Sequence, residues 1–336
     1  MCGFWDKFNK PFFVLAPMAD VTDAAFRRII AKYSRMGEDR GGPGAMWTEF
    51  VSADGLMLAD VKGREKLKKD LIFSEAERPV VAQFFTAKPE MMRRVAELAA
   101  ELGFDGVDIN MGCPDRSIEK QGAGAALIRS SASAPELIRE LIQEAKKGAP
   151  NLPISVKTRI GYNKNEINSW IPMLLSEGLA ALSVHLRTRR EMSKVPAHWE
   201  LASQIVSLRD RAGVDTLVLG NGDVLSLEDA EEKAKQTGLD GIMLGKAIFG
   251  NPWLFDRDKK EATTDEKLRV MVEHTKLFEE LLGGTKNFAL MKKHYKAYVN
   301  DFDGAKELRV KLMEAQDARE VETIANQYLS LKNGMV

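Results

Sequence analysis

The side chains with the most chemical reach in this chain stand at the ends of short apolar runs. Cys113 lies in Asn110-Met111-Gly112-Cys113-Pro114, directly after such a run and between a glycine and a proline. A buried cysteine ordinarily packs as a small, inert hydrophobe. On a loop, a thiol near its unperturbed pKa of about 8.5 stays mostly protonated at neutral pH, and it can serve as a general acid or as a nucleophile. Lys157 and His185 end two further runs. Burying an unpaired charge or polar group is expensive, so something polar has to meet both. For Lys157 that partner is either a carboxylate such as Glu49 or a cofactor that turns anionic on reduction. His185 is equally open between a hydrogen-bonded core residue and one that faces a ligand. Gln83 offers both a donor and an acceptor, which suits the edge of a heteroaromatic ring.

Two glycine loops, Leu219-Gly220-Asn221-Gly222-Asp223 and Met243-Leu244-Gly245-Lys246, follow later runs. Such glycines either turn the chain tightly or let backbone amides approach a phosphate. Lys246 beside Gly245 favours the phosphate, and with it a phosphate-bearing cofactor. Ala16-Pro17-Met18 closes the first run. No metal centre is expected, since His185, His198, His274 and His294 lack ligand spacing. Cys2 and Cys113 are too few for a disulfide framework or a cysteine zinc site, and Cys2 reads as a plain terminal residue. A reducing, cytoplasmic compartment fits that usage.

These residues need a scaffold that gathers strand ends. Apolar or β-branched runs at 12–16, 45–49, 80–84, 106–110, 154–158, 182–186, 216–220 and 241–245 alternate with helical spacing at 89–102, 134–147 and 227–237. Gly103, Gly148, Gly178 and Gly238 stand where helices should stop. The alternation gives βαβ units and a parallel sheet. Eight strands in about 250 residues is the arithmetic of a (β/α)8 TIM barrel. A doubly wound sheet usually has fewer strands and carries a G-x-G-x-x-G turn after the first, where Ala16-Pro17-Met18 stands instead. A barrel assembles its chemistry at the C-terminal ends of its strands, which is where the polar residues above fall.

After Phe255 the strand-like runs cease. Residues 256–336 read as three or four helices, near 264–282, 286–299, 304–315 and 318–331, with turns at Gly283-Gly284 and Asp303-Gly304. The expected organisation is a catalytic α/β barrel over 1–255 followed by a C-terminal all-helical domain over 256–336, in line with about two domains for this length. Hydrophobic residues at 44% and charged residues at 29% exclude disorder, collagen and a disulfide scaffold. The 49 basic and 49 acidic side chains cancel, which excludes a tail-driven nucleic-acid binder but not a local basic face. No apolar run approaches the roughly 18 residues of a membrane helix, so no membrane is expected. Residues 11–19, behind Lys7 and Lys10, imitate a signal peptide, but the run ends weakly and Asp20 follows at once. Residues 38–44 read as a flexible loop, and the composition marks no obvious oligomer interface.

At these positions the sequence resembles the flavin-dependent tRNA-dihydrouridine synthases. The matching stretches are Leu15-Ala16-Pro17-Met18-Ala19 with Val21-Thr22-Asp23 and Phe26-Arg27, then Val107-Asp108-Ile109-Asn110-Met111-Gly112-Cys113-Pro114. They continue with Ser155-Val156-Lys157-Thr158-Arg159, His185-Leu186-Arg187-Thr188-Arg189, Gly220-Asn221-Gly222-Asp223 and Gly250-Asn251-Pro252-Trp253-Leu254-Phe255, in family order over about 240 residues. The resemblance implies an FMN-holding barrel followed by a helical RNA-binding domain. Ala16, Pro17, Met18, Gln83, Lys157, His185, Asn221, Gly222, Asp223, Gly245 and Lys246 would hold the FMN, the last two taking its phosphate. NADPH would reduce the flavin, which would then pass hydride to C6 of a uracil while Cys113 protonates C5. Lys157 would stabilise negative charge on the reduced ring.

The implied partner is tRNA. A uridine has to leave its stack to reach such a site, which favours a loop base in folded RNA. Between Lys286 and Lys311 seven basic residues stand against three acidic ones, in a chain whose total charge is zero. That segment is either a solvated helix face or a phosphate grip. Lys292-Lys293-His294 resembles a basic-basic-histidine element of the family's tail, and Asn110 and Arg187 join it as expected RNA contacts. Arg189, Arg190 and Lys194 form, with Arg187, a basic rim after strand six. The chain departs from the family pattern at Lys246, where arginine is usual, at Leu186, where glycine is usual, and at His198, where an acidic residue is common. These departures bear on the phosphate fork and the loop after strand six, not on Cys113. Two other functions fit less of the sequence: a flavin barrel acting on a free pyrimidine, which needs no basic tail, and a tRNA-binding protein with incidental catalysis, which needs neither Cys113 nor Lys157.

Overall fold

Strands buried on both faces read as continuous apolar runs, and these runs form a closed parallel sheet. A computed structural model describes residues 3–333, so Cys2 lies outside the described residues. The strands are β1 (Phe12–Leu15), β2 (Met46–Ser52), β3 (Val80–Phe85), β4 (Gly106–Met111), β5 (Ile154–Arg159), β6 (Ala181–His185), β7 (Leu217–Asn221) and β8 (Gly241–Leu244). They pair in the order β1-β8-β7-β6-β5-β4-β3-β2, every pair parallel. The ring closes where Gly44 N donates to Phe13 O at 2.7 Å and Leu15 N donates to Ala45 O at 3.0 Å. This is the (β/α)8 barrel that the alternation predicts. β2 runs three residues past its expected end, with a register shift between Trp47 and Phe50.

The end of the barrel where the strands begin is plugged. The 3-10 turn Gly3–Lys7 inserts Trp5, 2% exposed, against Phe12, Trp47 and the inward residues Val14, Val81, Leu219 and Met243. Burying an indole of ~200 Å² at ~25 cal/mol/Å² stabilises by roughly 5 kcal/mol. Chemistry is thereby left to the opposite end. Among the barrel helices, Pro89–Glu101 and Pro135–Gly148 pack on one another. Gly148, expected as a stop, is the last residue of its helix, and a Cβ there would lie 2.2 Å from Arg93 O. Its missing side chain permits that approach.

By its contacts the chain falls into two compact units. The first holds the barrel strands. The second joins everything from Lys246 onward to two earlier segments, Asp20–Gly42 and Ile72–Glu77. In the second unit, Thr264–Leu282 begins with a reciprocal capping box between Thr263 and Glu266 and buries Leu268, Met271, Thr275, Phe278 and Leu282 on one face. The helices Lys292–Tyr298 and Ala305–Glu314 add Tyr295, Tyr298, Leu308 and Leu312 to this core. Arg27, fully buried, donates Nε to Glu77 at 2.8 Å and Nη1 to Thr22 O at 2.6 Å, while Asp23 caps the Ala24–Tyr33 helix on Phe26 N at 2.9 Å. The Thr22-Asp23 and Phe26-Arg27 motif residues are thus structural. Among the described residues no helix is long and apolar enough to cross a membrane.

Candidate active site

β4 ends in the residues that shape the thiol. Asn110 Oδ1 accepts from Gly112 N at 3.1 Å and from Cys113 N at 2.9 Å, an Asx-type turn that fixes the loop. Arg159 Nε donates to Gly112 O at 2.8 Å, and its Nη1 holds Thr188 O and Met192 O, each at 3.2 Å. A Cβ on Gly112 would stand 3.0 Å from the Thr158 backbone, a tight contact that glycine avoids as the loop packs against β5. Cys113 is half-buried, a free thiol packed on Phe85, Ile118 and Ala123. Burial pushes its pKa up, against the pull of the Arg159 and Lys157 charges. The thiol is therefore neutral at physiological pH. Asn110, expected at the RNA, spends its side chain on this loop and on Gln83 Oε1, to which its Nδ2 donates at 3.3 Å.

Beneath the loop lies a buried polar layer set by strand register. Gln83 pairs with Asp108 across β3–β4, and Asp108 pairs with Ser155 across β4–β5. Asp108, fully buried, accepts from Gln83 Nε2 at 2.6 Å and from Ser155 Oγ at 2.5 Å. Desolvation raises its carboxyl to about 6 despite these donors and the Lys157 charge. Lys157 is half-buried, and burial, helped by Arg159, lowers its pKa to about 8, while Asp108 and Cys113 act the other way. Its Nζ donates to Asn221 Oδ1 at 3.3 Å, and Asn221 Nδ2 donates to Met243 O at 2.8 Å. The hydrogen-bond partner of Lys157 is thus Asn221.

The loop after β6 is knitted to the loop after β7. Arg187 is 3% exposed: it ion-pairs with Asp223, donates Nε to Val195 O at 2.7 Å, and approaches His185 Nε2 with Nη1 at 3.0 Å. Because arginine only donates, His185 Nε2 accepts and the ring proton sits on Nδ1. Arg187, expected at the RNA, is instead used up inside this cluster, because its buried charge needs Asp223. Asp223 also accepts from Ala197 N at 2.9 Å. Gly222 adopts φ +128, and a Cβ there would meet Ala197 Cβ at 2.8 Å and the His185 ring at 3.3 Å. His198 bridges Glu191 at 3.0 Å and Glu200 at 3.1 Å, which raises its pKa, chiefly through Glu191. At the β1–β8 ends, Ala16 N donates to Leu244 O at 2.8 Å, and Ala16 and Met18 flank Gly245 with half-buried Pro17 beside them.

In the second unit Lys246 is exposed, and Lys292 and Lys293 are half-buried at the start of their helix. His294 is 2% exposed, with its ring 4.8 Å from that of His274 and against Phe26 and Phe249. Burial holds both histidines neutral, so His294, expected at the RNA, is a core residue. The residue that sequence reasoning missed is Asp108. Its signal was the two-residue period that puts it on the same strand face as Asn110.

The family model described as dihydrouridine synthase (Dus) matches residues 14–333. A probable tRNA-dihydrouridine synthase 2 of Bacillus subtilis (strain 168) is 40% identical over 328 residues, covering 97% of this chain and 96% of that protein. A probable tRNA-dihydrouridine synthase of Staphylococcus aureus (strain COL) is 38% identical over the same length, covering 97% and 95%. Among solved structures, a histamine dehydrogenase from Rhizobium sp. 4-9 has a TM-score of 0.52 at 12% identity, over 79% of this chain and 48% of that one, a likeness of fold alone.

Proposed function

Because the chain belongs to the dihydrouridine synthase family, we propose that it reduces uridines of tRNA to 5,6-dihydrouridine, with FMN as resident cofactor and NADPH as reductant, in the cytoplasm. The residues present fit a flavin. Lys157 and His185 put an ammonium and an imidazole on β5 and β6, backed by Gln83 and Asn221, whose side-chain amides are already hydrogen-bonded within the protein, a set suited to a polar heterocycle that gains negative charge on reduction. At Gly245, where Met18 and Ala16 come no nearer than 3.5 Å to the place of a Cβ, backbone is left for a phosphate-bearing group, with Lys246 as the charge for the phosphate; Gly222 is instead covered by Ala197 and His185. A reduced flavin held there would supply a hydride, hydrogen and electron pair together, to C6 of the uracil.

The chain's own residues do the rest. Cys113 carries the proton for C5: its S–H bond breaks as C5–H forms, and water restores the thiol. Burial keeps that proton on sulfur at neutral pH. Asn110 and Arg159 hold the loop so that the thiol's position does not depend on substrate. Lys157 supplies positive charge, and Asp108 and Asn221 position it. Arg187 fixes the His185 tautomer and leaves phosphate contact on this rim to exposed Arg190 and Lys194. The helical segment 256–336 grips the tRNA body through Lys292 and Lys293.

The observation that carries this reading is a neutral, half-buried thiol on the β4 loop, flanked by strands that carry Gln83 (β3) and Lys157 (β5), with Lys157 hydrogen-bonded to Asn221 of β7. Cys113→Ala tests it. Dihydrouridine formation should fall by at least about 100-fold, within the range for loss of a general acid, while flavin content and tRNA affinity stay as in wild type. An unchanged yield would remove Cys113 as the proton source.

A further inference from the structure

We infer that the Val61–Lys68 helix, which follows β2 on the first unit, is a second docking surface for the phosphate backbone of the substrate RNA. This rests on the tRNA reading above and extends it to residues outside the helical tail. Five of the eight residues 62–69 are basic and one is acidic, in a chain with no net charge. Lys62, Arg64, Lys66 and Lys68 are exposed, and the helix buries none of its residues. Its one internal carboxylate, Glu65, is taken by Lys68 at 2.9 Å, and Asp60 is engaged as N-cap on Gly63 N at 2.7 Å.

The packing orients these charges outward. Leu67 lies against the preceding Ala53–Leu58 helix, so close that a Cβ on Gly55 would be 2.6 Å from Leu67 Cδ1. Lys62, Lys66 and Lys69, spaced i, i+4 and i+7, then form one stripe beside that contact, and Arg64 and Lys68 form another. The segment starts from the C-terminal end of β2, the same end of the barrel as Cys113 and Lys157. It is tied there through Asp54, which accepts from Thr86 Oγ1 at 2.7 Å and pairs with Lys88 at 2.6 Å, just beyond β3. A strongly cationic, rigidly based ridge at the rim of the site matches a polyanion whose reacting base must enter that site.

The test replaces Lys62, Lys66 and Lys69 together by Ala in the FMN-loaded full chain and measures tRNA binding across a KCl series. The slope of log Kd against log[KCl] should shrink by about 2, at roughly 0.7–0.9 per phosphate contact, and Kd should rise about tenfold or more at moderate salt. Flavin content, NADPH consumption and the melting temperature should not move. The control Lys147→Ala with Lys235→Ala removes two exposed cations at the far ends of barrel helices and should leave the slope unchanged. If the triple variant loses stability, the single variants Lys62→Ala and Lys66→Ala should each still lower the slope by somewhat under 1. Wild-type binding of tRNA with an unaltered Kd and slope in the variants would overturn this surface and leave the activity standing. Failure of the wild type itself to bind tRNA would overturn the functional reading.

Discussion

Replacing Asp108 by Asn removes a charge from the barrel interior while keeping its shape. The asparagine Oδ1 still accepts from Gln83 Nε2, and the Ser155 hydroxyl, also 3.4 Å from Val107 O, can turn to accept from the new amide. What changes is the proton. The Asp108 carboxyl is raised from 3.8 to about 6, mainly by burial, so the folded state holds its proton more tightly than the unfolded chain. Wild-type stability therefore falls as pH rises from about 4 through about 6 and is level above that. Two pKa units correspond to about 3 kcal/mol, most of which lies between about pH 4 and about pH 8. The Asn variant lacks this loss. Its advantage over wild type in urea unfolding should grow by about that amount across the range. The variant also strips Lys157 of the negative neighbour that raises its pKa, so the lysine should titrate below about 8. Stability–pH curves that run parallel for the two proteins would refute the reasoning, since Asp108 would then ionise alike in both states.

Three more outcomes follow from the geometry. In a Cys2→Ser background, alkylation of Cys113 by iodoacetamide should still be accelerating past pH ~9, because burial disfavours the thiolate; a plateau below pH ~8 would contradict this. The neutral pair His274 and His294 should make stability fall as pH drops below about 6.5, by up to ~1.4 kcal/mol per pH unit for each ring, with roughly half of that slope lost in His274→Leu. Gly112→Ala forces a methyl to 3.0 Å from the Thr158 backbone, so it should destabilise by about 1–3 kcal/mol and speed alkylation of the loosened Cys113; wild-type stability would refute the close approach.

Strand ends were legible because β-branched runs and helix stops bracket them. β3, β4 and β5 end within one residue of expectation, and the Thr264–Leu282 helix matches its expected span. Less legible were the pieces without a long period: the Ala53–Leu58 and Val61–Lys68 helices, and the 3-10 turn Phe288–Met291 that precedes Lys292–Tyr298 within the expected helix 286–299. Position along a strand also says little about what a side chain meets. Arg187 and His294 look like surface cations in a sequence, yet Arg187 is drawn inward by Asp223 and His294 by Phe26 and Phe249. Conversely Asp108, surrounded by apolar neighbours in sequence, becomes the hub of the polar layer only once β3, β4 and β5 are in register.

The central claim is tested most directly by mass-spectrometric mapping of dihydrouridine after the FMN-loaded protein and NADPH act on tRNA from a strain lacking such synthases. Wild type should show a mass gain of two hydrogens at a defined uridine, and Cys113→Ala should form that product at least about 100-fold more slowly. A flavin-loaded protein that consumes NADPH yet leaves every tRNA uridine unreduced would contradict it.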